Sequence, residues 1–226
     1  VTAQRLHQRG YTVAAYDTRG HGDSDWDPDG RYDMDRLGSD LLAVRSYADS
    51  GRPVAAIGAF DGVHRGHQEL IRAAVREARA KGTPSVVWTF DPPPKVFFGR
   101  ATLLCTAHEK VARIGALGVD HVVLSHFDAA FRARTAAEFI ADLDRMNPAE
   151  VWVGDDFRFG AMQAGDVDLL ARHFPVRMLD PVHCEKGERI SSSRIRNLWR
   201  AGQYDLCRTL LGWQDQFIHP EYELAW

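Results

Sequence analysis

Residues 53–80 read PVAAIGAFDGVHRGHQELIRAAVREARA. The apolar run ending at Ile57 gives way to a glycine-rich turn. His64 and His67 then flank Gly66, and a helical pattern runs over 68–80 until Gly82 stops it. A strand, a turn and a helix start in this order form a phosphate cradle. The first-turn N–H groups are free and the helix dipole favours an anion there. Glycines let the backbone come close to that anion. Two imidazoles beside such a cradle suit a phosphate chain rather than acyl chemistry. Metal ligation by His64 and His67 is disfavoured, because their spacing is not of the HExxH type and no further ligands accompany them.

Outward from this stretch, strands and helices alternate. Strands are expected at 11–16, 53–57, 85–90, 121–124, 150–153 and 176–179, and helices at 34–48, 68–80 and around 167–173. Thr106 with Glu109 and Thr135 with Glu138 spell two capping boxes, the first helix ending near Gly118 and the second near Met146. Two short helices, punctuated by Gly202 and Gly212, close the pattern. Apolar, β-branched strands alternating with helices predict an α/β fold: a parallel sheet covered on both faces, with ligands at the carboxyl ends of the strands. The informative motifs fall at those ends.

Residues 190–196 read ISSSRIR at a helix start. The hydroxyls serve either as N-caps or as part of a second phosphate site, with Arg194 or Arg196 neutralising charge. Two separated anion sites imply a long phosphate chain such as a nucleoside triphosphate. After the strand at 150–153 comes GDDFRFG, whose Asp155 and Asp156 are candidates for a metal or a ring hydrogen bond. Phe157 and Phe159 either stack on a ring or belong to the core. Residues 90–94, FDPPP, form a loop stiffened by proline and suit a rigid pocket wall.

Composition sets outer bounds. The 226 residues suit one large domain, or one domain with an extension; 45% are hydrophobic and 26% charged, as in ordinary globular proteins. A net charge of −3 argues against a broad nucleic-acid-binding face. Cys105, Cys184 and Cys207 lack metal-ligand spacing and read as reduced thiols in a reducing compartment. No apolar run approaches the roughly 20 residues of a membrane span, and no signal peptide is visible. A cytoplasmic location is therefore expected.

The combination of IGAFDGVHRGHQELI, FDPPP, VGDDFRFG with AGD, and RISSSRIR, in this order, resembles the FMN adenylyltransferase (FAD synthetase) module of prokaryotic bifunctional riboflavin kinase/FAD synthetases, over about residues 53–212. HxGH and ISSSxxR alone are shared across the wider nucleotidyltransferase superfamily. The resemblance implies a Rossmann-like nucleotidyltransferase fold and transfer of AMP from ATP, with Mg²⁺, to FMN, giving FAD and pyrophosphate. A related adenylyltransferase with another acceptor, an inactive homologue, and a non-catalytic hydrolase-derived binding chain are the alternatives. The implied partners are ATP and FMN, with no nucleic acid and no membrane. Gly58, Phe60, Gly62, His64 and His67 would line the ATP phosphates, and Ser191, Ser192, Ser193 and Arg196 would close on them from the other side. His64, His67 and Arg196 would be catalytic. Pro92, Pro94, Phe98 and Asp156 would lie near the flavin. Two departures stand out. Pro93 replaces the histidine of the usual FDPHP, and Ala161, Met162 and Gln163 stand where a basic residue often precedes the GD.

Residues 1–52 are expected to be an N-terminal βα extension. The stretch YTVAAYDTRGHGDSD at 11–25, followed by GRPVAAIG, resembles an α/β-hydrolase just before its nucleophile elbow. No GxSxG follows, so serine hydrolysis is excluded. A natural fusion, a sequencing artefact and an engineered chimera are each compatible with that junction. Residues 213–226 read as a C-terminal tail, and no riboflavin kinase activity is expected, because only 14 residues follow Gly212.

Overall fold

A computed structural model describes residues 51–213. The expected strand at 11–16, loop at 20–30 and helix at 34–48, and the tail beyond 213, lie outside the described residues, as does nearly all of the hydrolase-like stretch. Five strands form one parallel sheet: β1 (Val54–Ile57), β2 (Ser85–Asp91), β3 (His121–His126), β4 (Glu150–Gly154) and β5 (Val176–Leu179), in the order β3-β2-β1-β4-β5. β1 is central. Val54 pairs with Ser85 on one side and with Glu150 on the other. The chain runs outward from β1 to β3, then crosses back to place β4 against β1. The strand order therefore reverses between β1 and β4, and a crevice opens at the carboxyl ends of those two strands.

The helices are α1 (Arg65–Lys81), α2 (Pro94–Phe97), α3 (Ala107–Gly115), α4 (Ala129–Ala133), α5 (Ala136–Met146), α6 (Val167–Ala171), α7 (Ser192–Arg200) and α8 (Tyr204–Leu211). Both capping boxes form as expected, with the Thr106 and Thr135 hydroxyls accepting from the Glu109 and Glu138 amides while those glutamates reach back. α1 starts three residues before the predicted Gln68. His64 serves as its N-cap, so His67 already lies in the first turn. Gly82, in the left-handed conformation, ends it as expected, its N–H bonding to the Ala78 and Arg79 carbonyls. α2 and α4 were not anticipated, since each is too short to show a periodic pattern.

Alternating side chains of β1 divide two cores. Ala55 and Ile57 join Trp88, Val151, Phe139 and Leu143 on one face. Val54 and Ala56 join Ile71, Ala74 and Ala78 of α1, with Ile114, on the other. A third cluster, Ile190, Ile195, Cys207, Leu210 and Leu211, packs α7 on α8. All three cysteines are free, and no helix among the described residues is long and apolar enough to cross a membrane.

The loop after β4 depends on glycine. Gly160 has φ +73°, and a Cβ there would lie 2.6 Å from the Ala136 nitrogen at the start of α5. Gly187 has a similar φ, +75°, with open space around it. Gly160→Ala should therefore lose about 2–4 kcal/mol in urea denaturation, from the steric and dihedral costs together. Gly187→Ala should lose only about 1 kcal/mol, from the dihedral alone. Equal losses at the two sites would contradict this packing.

Candidate active site

The turn between β1 and α1 is shaped by its own backbone. Phe60 and Val63 hold left-handed φ values of 43° and 45°, and Gly62 has φ 76°. Gly58 donates its N–H to the Trp88 carbonyl at 3.1 Å, extending the β1–β2 ladder. A Cβ on Gly58 would sit 2.9 Å from the Phe60 ring, so only glycine lets that ring fold back. The turn leads directly into the N-terminus of α1 at Arg65.

His64 and His67 stack, with ring centroids 3.5 Å apart and planes at 18°. Phe60 meets His67 edge-on at 5.3 Å. His64 Nδ1 accepts the His67 amide at 3.3 Å. The His64 proton therefore sits on Nε2, as a donor at the other end of the ring. Burial, reinforced by the charges of Arg196 and Arg189, pushes His64 down to about 4. Burial also drives His67 well below its usual value, with His64, Lys110 and Arg196 adding to it. Both imidazoles are therefore neutral at pH 7. His67 Nδ1 is buried without a hydrogen-bond partner among the described residues.

Asp61, which the sequence reading passed over, organises the turn. It is buried and paired with Arg196 of α7. Its Oδ1 also accepts the Leu104 amide at 3.1 Å. Burial raises its value, and the Arg196 charge opposes that rise. Arg196 further donates to the Thr102 carbonyl at 2.7 Å. Its guanidinium is thus committed to holding α7 on the turn. Arg113 donates to the Gly62 carbonyl at 3.1 Å from beneath, and the Gly62 amide donates to Cys105 Sγ at 3.1 Å. Behind the FDPPP turn lies Lys110, with no exposed surface. A buried Asp, Lys and two Arg within so short a span cannot be read from the sequence, because such residues normally face water.

The hydroxyl segment divides in its roles. Ser191 is the N-cap of α7, accepting the Arg194 amide at 3.2 Å. Ser192 donates to the Asp61 carbonyl at 3.2 Å, joining the segment to the turn. Ser193 is exposed. The Ile190 carbonyl lies 3.5 Å from where a Cβ on Gly66 would stand, so the two phosphate-type motifs face each other across a short gap. Arg194 does not join them. It is held by Glu188, Cys184 and two carbonyls of the 188–189 turn. Arg189, also missed, binds Asp155 with two hydrogen bonds of 2.7 and 3.0 Å and approaches Asp156 at 3.7 Å. Asp155 is therefore paired, and Asp156 remains largely exposed.

After β2, Pro94 begins α2, and the Pro93 carbonyl accepts the Val96 and Phe97 amides at 2.8 and 3.0 Å. Pro93 is buried, so the position usually held by histidine is here an apolar helix cap. Pro92 is half-buried beside it. Phe98 is 40% exposed, flanked by Arg100 and Arg132, each 5.3 Å from its ring centre. Phe159 is core: it is 5% exposed and packs 4.9 Å from Phe139. Phe157 packs partly against the same cluster. Met162 is almost fully exposed. No cluster of three or more His, Cys, Asp or Glu is placed to hold a metal ion among the described residues.

Comparison with known proteins locates this geometry. A family model described as FAD synthetase matches residues 47–194. A putative bifunctional riboflavin kinase/FMN adenylyltransferase of Geobacillus thermodenitrificans is 51% identical over 160 residues, covering 71% of this chain and 89% of that protein. Bifunctional riboflavin kinase/FMN adenylyltransferases of Pseudomonas fluorescens and Escherichia coli K12 are each 38% identical across 70% of this chain. The chain spans only 54% of the length of each of those two. Among solved structures, one described as a macrolide-efflux protein from Streptococcus pneumoniae aligns with TM-score 0.64 and 34% identity, over 72% of this chain and 57% of that one.

Two tests follow from the buried charges. Above pH 6.5 His64 is neutral in both folded and unfolded states. As pH falls from 6.5 towards 4, only the unfolded imidazole takes up a proton, so stability is lost across that window. The loss attributable to His64 reaches roughly 3 kcal/mol, at about 1.4 kcal/mol per pH unit. Imidazole resonances followed by NMR should show no titration of His64 near 6.5 in the ligand-free protein. Arg196→Ala strands the buried Asp61 carboxylate and should cost about 3–5 kcal/mol in denaturation, while Asp61→Asn combined with Arg196→Met should recover part of it. An Arg196→Ala protein as stable as wild type would contradict the pairing.

Proposed function

The chain belongs to the FAD synthetase family, and from that premise we propose that it transfers AMP from MgATP to FMN, forming FAD and releasing pyrophosphate. The observation carrying the proposal is the meeting of the His64–His67 stack, at the N-terminus of α1, with the hydroxyl-rich start of α7 across the switch-point crevice. That arrangement suits a phosphate chain held from two sides.

In this reading the FMN phosphate is already ionised and attacks the α-phosphorus in line, while pyrophosphate leaves. Little acid–base help is needed, and positioning and charge stabilisation dominate. The Nε2–H of His64 and the ring of His67 donate to phosphate oxygens as neutral imidazoles. N–H groups at the start of α1 donate to anionic phosphate oxygens, and Gly58, Phe60 and Gly62 give the backbone its approach. Ser191, Ser192 and Ser193 close from the other side. Arg196 adds positive potential while it holds the turn. Pro92, Pro94, Phe98 and Asp156 form the flavin side. Mg²⁺ carried on the nucleotide phosphates would supply further neutralisation of the pyrophosphate leaving group. The proposal is confined to nucleotidyl transfer: no riboflavin phosphorylation is assigned to residues 51–213. The location proposed is the cytoplasm, with no nucleic acid or membrane partner.

Incubation with MgATP and FMN, followed by chromatography, should yield FAD and pyrophosphate. A folded sample that binds neither substrate by calorimetry would overturn the reading. His67→Ala should lower kcat by about 2–4 kcal/mol of transition-state stabilisation, with little change in melting temperature. An unchanged rate with a lowered melting temperature would mark His67 as a packing residue instead.

A further inference from the structure

Lys110 is the most unusual side chain outside the described motifs. It lies on α3 with no exposed surface. Its Nζ donates to the Phe90 carbonyl at 2.6 Å. Among the described residues no carboxylate pairs with it directly. Burial lowers its value and outweighs the opposing influence of the Asp61 and Asp91 carboxylates; the Cys105 thiol, itself pushed up to about 11, is protonated and offers no counter-charge. Burying a cation without a close counter-ion costs stability, and an apolar side chain of similar length would fit that space at less cost. The contact made in return is specific. Phe90 is the penultimate residue of β2, and its carbonyl precedes Asp91, Pro92, Pro93 and Pro94. One turn further along, the same helix carries Arg113, which holds the Gly62 carbonyl of the phosphate turn. α3 therefore grips the strand end before the acceptor turn through Lys110 and the phosphate turn through Arg113.

We propose that Lys110 is a positioning residue for adenylyl transfer, the buried cation that keeps the 91–94 turn in register with the phosphate turn at 58–64. The proposal rests on the reaction assigned above. Lys110 touches neither substrate; it acts through the Phe90 carbonyl and the turn that follows. Its loss falls on the acceptor, whose wall is that turn, more than on the nucleotide.

Lys110→Met and Lys110→Gln, compared with wild type in FAD synthesis with each substrate varied in turn, test this. In the Met variant kcat/KM for FMN should fall about 10- to 100-fold, the range expected for a lost hydrogen bond to a charged donor. The KM for MgATP should move by less than about threefold, and the melting temperature should equal or exceed that of wild type. The Gln variant, whose amide can still donate to the Phe90 carbonyl, should regain part of the loss. Unchanged kcat/KM for FMN in an active background overturns the proposal and leaves the reaction standing. So does an equal loss for both substrates with lowered melting, or failure of both variants to fold in MgATP, since the lysine then serves the fold. A wild-type chain that binds MgATP but forms no FAD removes the reaction and, with it, the proposal.

Discussion

The buried pair of Asp61 and Arg196 is the interaction on which the site depends. The two residues lie 135 positions apart, one in the turn after the central strand and one in the helix after the last. Their pairing brings α7 onto that turn, and with it Ser192, whose hydroxyl reaches the Asp61 carbonyl. A buried ion pair is a poor source of net stability, because removing two charges from water costs several kcal/mol. Its value here is geometric: it fixes where the second half of a divided site stands relative to the first. The Thr102 carbonyl and the Leu104 amide complete the set of partners, so neither charge is left half satisfied.

The same network sets the electrostatics. Arg196, Arg113 and Lys110 are all buried near the turn, against the buried Asp61 and Glu109. The excess is positive, and it adds to burial, the larger cause, in suppressing protonation of the paired histidines. An anionic phosphate chain bound at this turn, as proposed, would meet a positive field from fixed, buried cations, with neutral imidazole donors beside them. Such donors need no rearrangement as charge shifts during transfer, which is the condition for effective electrostatic preorganisation.

Much of this was legible beforehand. The β-branched runs and the two Thr–Glu capping boxes fixed the element order, and the strand–turn–helix reading of 53–80 located the central strand and the cradle. The motifs at 58–67 and 190–196 do meet, because a parallel sheet brings strand ends together regardless of their separation in sequence. The roles within each motif were less visible. Ser191 caps a helix, Arg194 is occupied by Glu188, and Phe159 is core; each depends on neighbours that sequence spacing does not reveal. Asp61, Lys110 and Arg189 escaped notice because charged residues carry no periodic signal, and only the tertiary fold tells a buried one from a solvated one. The short helices α2 and α4 were missed for the related reason that one turn has no period.

The central claim is that a triphosphate is gripped between the α1 and α7 N-termini. A crystal structure with a non-hydrolysable ATP analogue, Mg²⁺ and FMN tests it most directly. The account predicts the phosphates within hydrogen-bond distance of the His64 and His67 rings and of the 191–193 hydroxyls, with the Asp61–Arg196 pair intact and the flavin ring beside Pro92, Pro94 and Phe98. Phosphates bound away from the 58–67 turn, or a nucleotide that displaces Asp61 from Arg196, would contradict it.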